Sequence, residues 1–136
     1  MANSVLMERL ILLNQQPENL NEQEKDPSTI LRIVPTEQGF RFMTEHGVYL
    51  GLTANSLEDF ASKLKTVDVE SVVYHYYRGD FQRWIEGVLG DREFANKLCF
   101  IATNLSGEKL REELSKLIEK RIVDLKSLNW IENEGI

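Results

Sequence analysis

At 136 residues, with 42% hydrophobic and 28% charged side chains, the chain has the size and balance of one globular domain, which excludes a disordered tail. A formal net charge of -6 with no basic cluster argues against nucleic acid or an anionic membrane as partner. The single cysteine, Cys99, excludes an intramolecular disulfide, and its flanks Leu98, Phe100 and Ile101 suit a buried, inert thiol.

The N-terminal residues read as a short separate helix. Ser4 can cap it, and Leu6, Leu10 and Leu13 recur at helical spacing. Val5, Met7, Ile11 and Leu12 extend the apolar surface around most of the circumference, so the segment needs burial against something. It either docks on its own domain or pairs with a second copy or a protein partner. Glu8 and Arg9 interrupt it and it is too short to span a bilayer, so no membrane segment or signal peptide is expected, and a cytoplasmic location is. Asn14 to Thr29 is polar, acidic and proline-containing, which makes residues 1–29 a helix plus flexible tether ahead of a single domain over residues 30–136.

Three strands are predicted next. Ile30 to Val34 is β-rich and stops at Pro35, and Thr36 to Gly39 forms a turn. Phe40 and Phe42 alternate with Arg41 and Met43, and Val48, Leu50 and Leu52 alternate with Tyr49 and Gly51. His46-Gly47 supplies a two-residue hairpin turn between these runs. The expected fold class is α+β: a small antiparallel three-stranded meander followed by a four- to five-helix array.

The helices follow from periodicity. Leu57, Phe60, Ala61 and Leu64 make one stripe, with Asn55 and Glu58 resembling a capping box. Asp68 can cap a segment in which Val69, Val72, Val73, Tyr76 and Tyr77 share a face, although Val72 to Tyr77 is also compatible with a strand. Phe81, Trp84, Ile85, Val88 and Leu89 form the next stripe, opened by Asp80 as cap and stopped by Gly90. Asp91 caps a helix presenting Phe94, Leu98 and Ile101. Ser106 starts a last long helix whose inner face carries Leu110, Leu114, Leu117, Ile118, Ile122 and Leu125.

One constellation carries chemistry: His75, Arg78, Asp80 and Trp84. A bend at Gly79 brings His75 and Asp80 together, and a carboxylate that orients a histidine is the start of general-base chemistry. No nucleophile accompanies the pair, and each residue has a structural job available to it as cap, corner tie or core. Tyr74, Tyr76, Tyr77, Phe81 and Trp84 are dense enough to stack on a base or sugar, but most fall on the apolar stripes, leaving Tyr74 and Tyr49 as the exposed rings. Two separated histidines define no metal site, and no cofactor motif is present.

The pattern Ser56-Leu57-Glu58-Asp59-Phe60, then His75, Arg78-Gly79-Asp80-Phe81, Trp84-Ile85, Val88-Leu89-Gly90-Asp91, Glu93 and Ala95 resembles a small, mainly archaeal family of unknown function. The likeness covers Phe40 to Leu105. It departs at Phe94, where the family favours leucine, and at Gln82, where an acidic residue is common. The resemblance implies an α+β fold and an archaeal source, and it carries no catalytic role. The sequence therefore reads as a non-catalytic protein-interaction or regulatory module, with Leu6, Leu10 and Leu13 on the interaction helix. The alternative is a sugar- or nucleotide-binding accessory, or a weak enzyme, with a pocket near His75, Arg78 and Asp80.

Overall fold

A computed structural model describes residues 26–101 and 105–134, with side chains described to residue 128. The predicted N-terminal helix with Leu6, Leu10 and Leu13, and the tether as far as residue 25, lie outside the described residues. The described chain opens at Asp26, whose carboxylate accepts the Thr29 N–H at 2.8 Å and caps a single helical turn, α1 (Pro27–Ile30). Pro27 suits the first position because its missing N–H would have had no partner there. The turn packs against the last helix, with Pro27 and Ile30 buried.

This corrects the predicted meander. Ile30 closes α1 instead of opening a strand, and Val34 is bonded to Asn55: its N–H donates to the Asn55 carbonyl (2.8 Å) and its carbonyl accepts from the Asn55 side-chain amide (3.4 Å). Ile30 and Val34 are apolar because they fill the core, not because they pair. Among the described residues the sheet has two antiparallel strands, β1 (Phe40–Met43) and β2 (Tyr49–Ala54), and the fold is α+β with six α-helices.

The hairpin also departs from the expected geometry. Gly47 N–H donates to Thr44 O (2.9 Å) and Thr44 N–H to Val48 O (2.7 Å), so the loop is Glu45-His46-Gly47, one residue longer than predicted, with Gly47 at φ 78°. Arg41 pairs with Thr53 but Met43 pairs with Tyr49, so Leu50, Gly51 and Leu52 all stand opposite Phe42. This bulge, with Gly51 at φ 76°, breaks the alternation of β2. Phe40 and Phe42 point into the core as expected, whereas Val48 and Leu50 are exposed.

The helical half follows the apolar periodicity. In α2 (Leu57–Leu64) the whole predicted stripe is buried, but its cap is Ser56, whose Oγ accepts the Asp59 N–H at 3.0 Å. Asp59 in turn accepts the Asn55 N–H at 3.0 Å, so the reciprocal box sits one residue beyond its expected place. Val69–Arg78 is a helix, α3, capped by Asp68 and ended by Gly79 at φ 80°. The next element, α4 (Asp80–Trp84), continues through a π-helical turn (Ile85–Leu89) to Gly90 at φ 86°. Asp91 caps α5 (Arg92–Leu98) by accepting the Phe94 N–H at 3.2 Å, and α6 (Gly107–Glu134) runs for 28 residues.

Phe40, Phe42, Phe60, Phe81 and Trp84 form the centre of the core, with neighbouring ring centroids as close as 5.0 Å. The last helix lies antiparallel to α2. Arg111, near its start, donates to the Leu64 and Val67 carbonyls (2.9 and 2.6 Å), while Lys126, near its end, pairs with Glu58 at 2.6 Å. Cys99 is exposed, contrary to the expected burial, since α5 ends at Leu98 and the chain turns outward there.

Candidate functional site

The corner between α3 and α4 gathers the four residues singled out in the sequence. Gly79 supplies the left-handed backbone that lets one helix end and the next begin without a linker. His75, on the last turn of α3, is 3% exposed and faces β1. Its Nε2 accepts the backbone N–H of Met43 at 2.8 Å, which fixes the proton on Nδ1. That Nδ1–H donates to Asp80 Oδ2, also at 2.8 Å. One turn earlier, Ser71 Oγ donates to the Met43 carbonyl at 2.6 Å. Both backbone groups of the last β1 residue are thus held by side chains from one face of α3.

Asp80 collects the remaining charge. It lies inside the first turn of α4, with Gly79 in the capping position and no side-chain capping bond, which corrects its predicted role as N-cap. Its carboxylate has turned back toward α3: Oδ2 accepts from Arg78 Nε at 3.0 Å as well as from His75, and Oδ1 accepts from Arg83 Nη2. Burial pushes the Asp80 pKa up, but the hydrogen bonds from His75 and Arg78 outweigh it and hold the group below the usual carboxylate range. Burial also dominates at His75 and pushes its pKa below the ordinary histidine value, against the pull of Asp80. The result is a neutral imidazole beside an ionised carboxylate. Arg78 also lies over the Tyr74 ring, 4.9 Å from its centroid.

Trp84 belongs to the same corner through the core. Its Nε1–H donates to the Gln38 carbonyl at 2.8 Å, and its ring lies 5.6 Å from Phe60 and 5.8 Å from Phe40. The structure therefore brings His75, Arg78 and Asp80 into one hydrogen-bonded cluster and places Trp84 behind it. Phe40 packs edge-on against the imidazole at 4.8 Å. With Nε2 and Nδ1 both engaged, His75 has no lone pair free to take a proton from a substrate.

Of the aromatic residues, Tyr76, Phe81 and Trp84 are core members and Tyr77 is exposed, while Tyr49 covers Arg41 on the hairpin, 4.2 Å from guanidinium to ring centroid. The residues missed by sequence reading are Ser71, Arg83 and the Met43 and Gln38 backbones. Ser71 was discoverable, since it sits four residues before His75 and shares its helical face. The backbone partners had no signal, because they depend on how the hairpin meets α3. Gln82 beside the cluster keeps a buried Oε1 with no hydrogen-bond partner. Among the described residues no group of three or more His, Cys, Asp or Glu side chains can hold a metal ion, and no helix is long and apolar enough to cross a membrane.

A family of unknown function, DUF5752, matches residues 37–135. The chain belongs to this family. The match takes in the hairpin, the α3–α4 corner and the whole described length of the last helix, so it extends well past the resemblance read from Phe40 to Leu105. No curated protein and no solved structure matches the chain.

Proposed function

We propose that the protein is a non-catalytic, cytoplasmic protein-interaction or regulatory module, working through the apolar N-terminal segment with Leu6, Leu10 and Leu13. The observation that supports this reading is the use of both His75 nitrogens, and of the Ser71 hydroxyl, in joining α3, α4 and β1. A site that acts on a substrate keeps at least one donor or acceptor turned toward it. Here the imidazole, the carboxylate and the indole N–H are all spent on the fold. The segment Val5 to Leu13, by contrast, is apolar at every position but Glu8 and Arg9 and, read as a helix, needs a surface to cover most of its circumference.

Removal of residues 1–25 tests the proposal. The cut leaves Asp26 and the α1 turn that it caps in place. Loss of self-association by light scattering, or of captured protein partners, is the expected result. A truncated protein with unchanged mass and unchanged partners overturns it.

A further inference from the structure

The two halves of the hairpin are held differently. At the inner half Phe40, Phe42 and Ala54 are buried, and Lys63 of α2 donates to the Thr53 carbonyl at 2.8 Å. The outer half lacks such burial, since residues 45–50 are all exposed. It is tied to the helices through Met43, whose carbonyl accepts from Ser71 Oγ at 2.6 Å and whose N–H donates to His75 Nε2 at 2.8 Å. A segment with so little buried apolar surface opens locally at lower free energy than the whole fold.

The two bonds on Met43 respond differently to protons. The Ser71 hydroxyl does not titrate, but the Nε2 lone pair either accepts the Met43 N–H or holds a proton, never both. An imidazolium here would set one N–H against another across 2.8 Å, so proton uptake must part the two groups. The bond on the other side of the ring survives, because Nδ1 donates to Asp80 in either state. Protonation therefore spares the α3–α4 corner and strikes the tie to β1.

The surroundings of the ring come from three elements. Burial opposes its charge most, Asp80 of α4 draws a proton toward it, and Arg78 of α3 repels one. Arg83 of α4 reaches the same Asp80 carboxylate, and the rings of Phe40 and Phe42 on β1, Phe81 on α4 and Tyr74 on α3 complete the wall. A second titrating contact lies at the same junction. Glu45 of the hairpin loop, followed by Asp68, raises the pKa of Glu70 on α3, against a weaker pull from His46. Proton uptake there relieves repulsion and draws the loop toward α3, so its effect is opposite in sign to that of His75.

We infer that His75 is a proton-operated latch on the hairpin: proton uptake at Nε2 releases Met43 and lets residues 43–50 move off α3, while the α3–α4 corner and the helices stay folded. Amide hydrogen exchange and the NMR shifts of the imidazole nitrogens, followed together on the full chain from about pH 7.5 to about 5, test it. As pH falls below the ordinary histidine value of 6.5, protection of the Met43 N–H, corrected for intrinsic exchange, should drop by up to about tenfold per pH unit. The amides of Leu64, Leu114 and Ile118 should keep their protection. In His75→Gln, whose amide serves both partners without titrating, Met43 protection should not vary with pH, and in Glu45→Gln the wild-type response should remain. Met43 protection that stays flat while the nitrogen shifts report protonation overturns the latch, as does its loss in step with Leu114 and Ile118, which is unfolding of the whole chain. A response that persists in His75→Gln or vanishes in Glu45→Gln also overturns it. Should His75→Gln fail to fold, the comparison of Met43 with Leu114 and Ile118 in the unaltered chain still decides.

Discussion

His75 is where one side chain decides the most. It answers a backbone donor on β1 with one nitrogen and a carboxylate on α4 with the other, at 2.8 Å each. Replacing it with alanine strands the Met43 N–H in the core and opens a cavity beside Phe40, so His75→Ala should cost about 2–4 kcal/mol in urea unfolding. Its protonation gives a pH dependence of definite sign. The folded-state pKa lies below the ordinary value of 6.5, so the unfolded chain takes up the proton first as pH falls. The His75 contribution is full above that value and is lost as pH drops below it toward the depressed folded-state pKa. Asp80 does not confuse this window, because its pKa is lowered from 3.8 and its own contribution fails only in stronger acid. Melting temperature should therefore decline as pH falls from 6.5 toward 5. In His75→Gln, where the amide can accept from Met43 and donate to Asp80 without titrating, the curve should be flatter. An identical decline in both proteins would remove His75 as the cause.

At the scale of elements, the helices and the two paired strands were legible, and the absence of a third strand was not. The stripes Leu57–Phe60–Ala61–Leu64 and Leu110 to Leu125 are buried because a helix presents every third or fourth residue to one side whatever it packs against. Strand identity depends on a partner, and among the described residues Ile30 to Val34 has no partner strand, so its β-branched residues are absorbed by a helical turn and a loop. In β2 the alternation was read correctly as a pattern, but Gly51 permits a bulge that turns Leu50 outward. The same limit applied to the corner: the His75–Asp80 contact was readable from spacing, while the direction of the Asp80 carboxylate was not. Close packing of the hairpin on its flanking turn yields a test. Gly39 has an ordinary φ of -72°, yet an added Cβ would lie 2.6 Å from Thr53 Cγ2 and 2.7 Å from the Ala54 carbonyl. Gly39→Ala should destabilise by about 1–3 kcal/mol through overpacking, measured by chemical denaturation. A neutral result would mean that the turn yields freely.

For the molecule as a whole, the last helix is the spine, packing on α1, α2, α3 and α5. A buried ion pair fastens it to the start of α5. Asp91, 2% exposed, accepts Arg121 Nε and Nη2 at 2.8 Å each while it also caps α5. The inner stripe read from the sequence does not include Arg121, since a sequence does not show which carboxylate a guanidinium will meet. Arg121→Ala leaves that carboxylate buried without its partner and should cost about 3–5 kcal/mol in urea unfolding. A loss below about 1 kcal/mol would mean that water replaces the guanidinium at little cost. The grip of Ser71 and His75 on Met43 has a further consequence for how copies of this protein can meet. A two-stranded ribbon ordinarily offers its outer rungs to any passing strand, and proteins guard such rungs with lysine, proline or a covering loop. Here the guard is a helix that spends a hydroxyl and an imidazole on the last rung of β1, so sheet growth from chain to chain, the route to fibrils, is blocked at that rung.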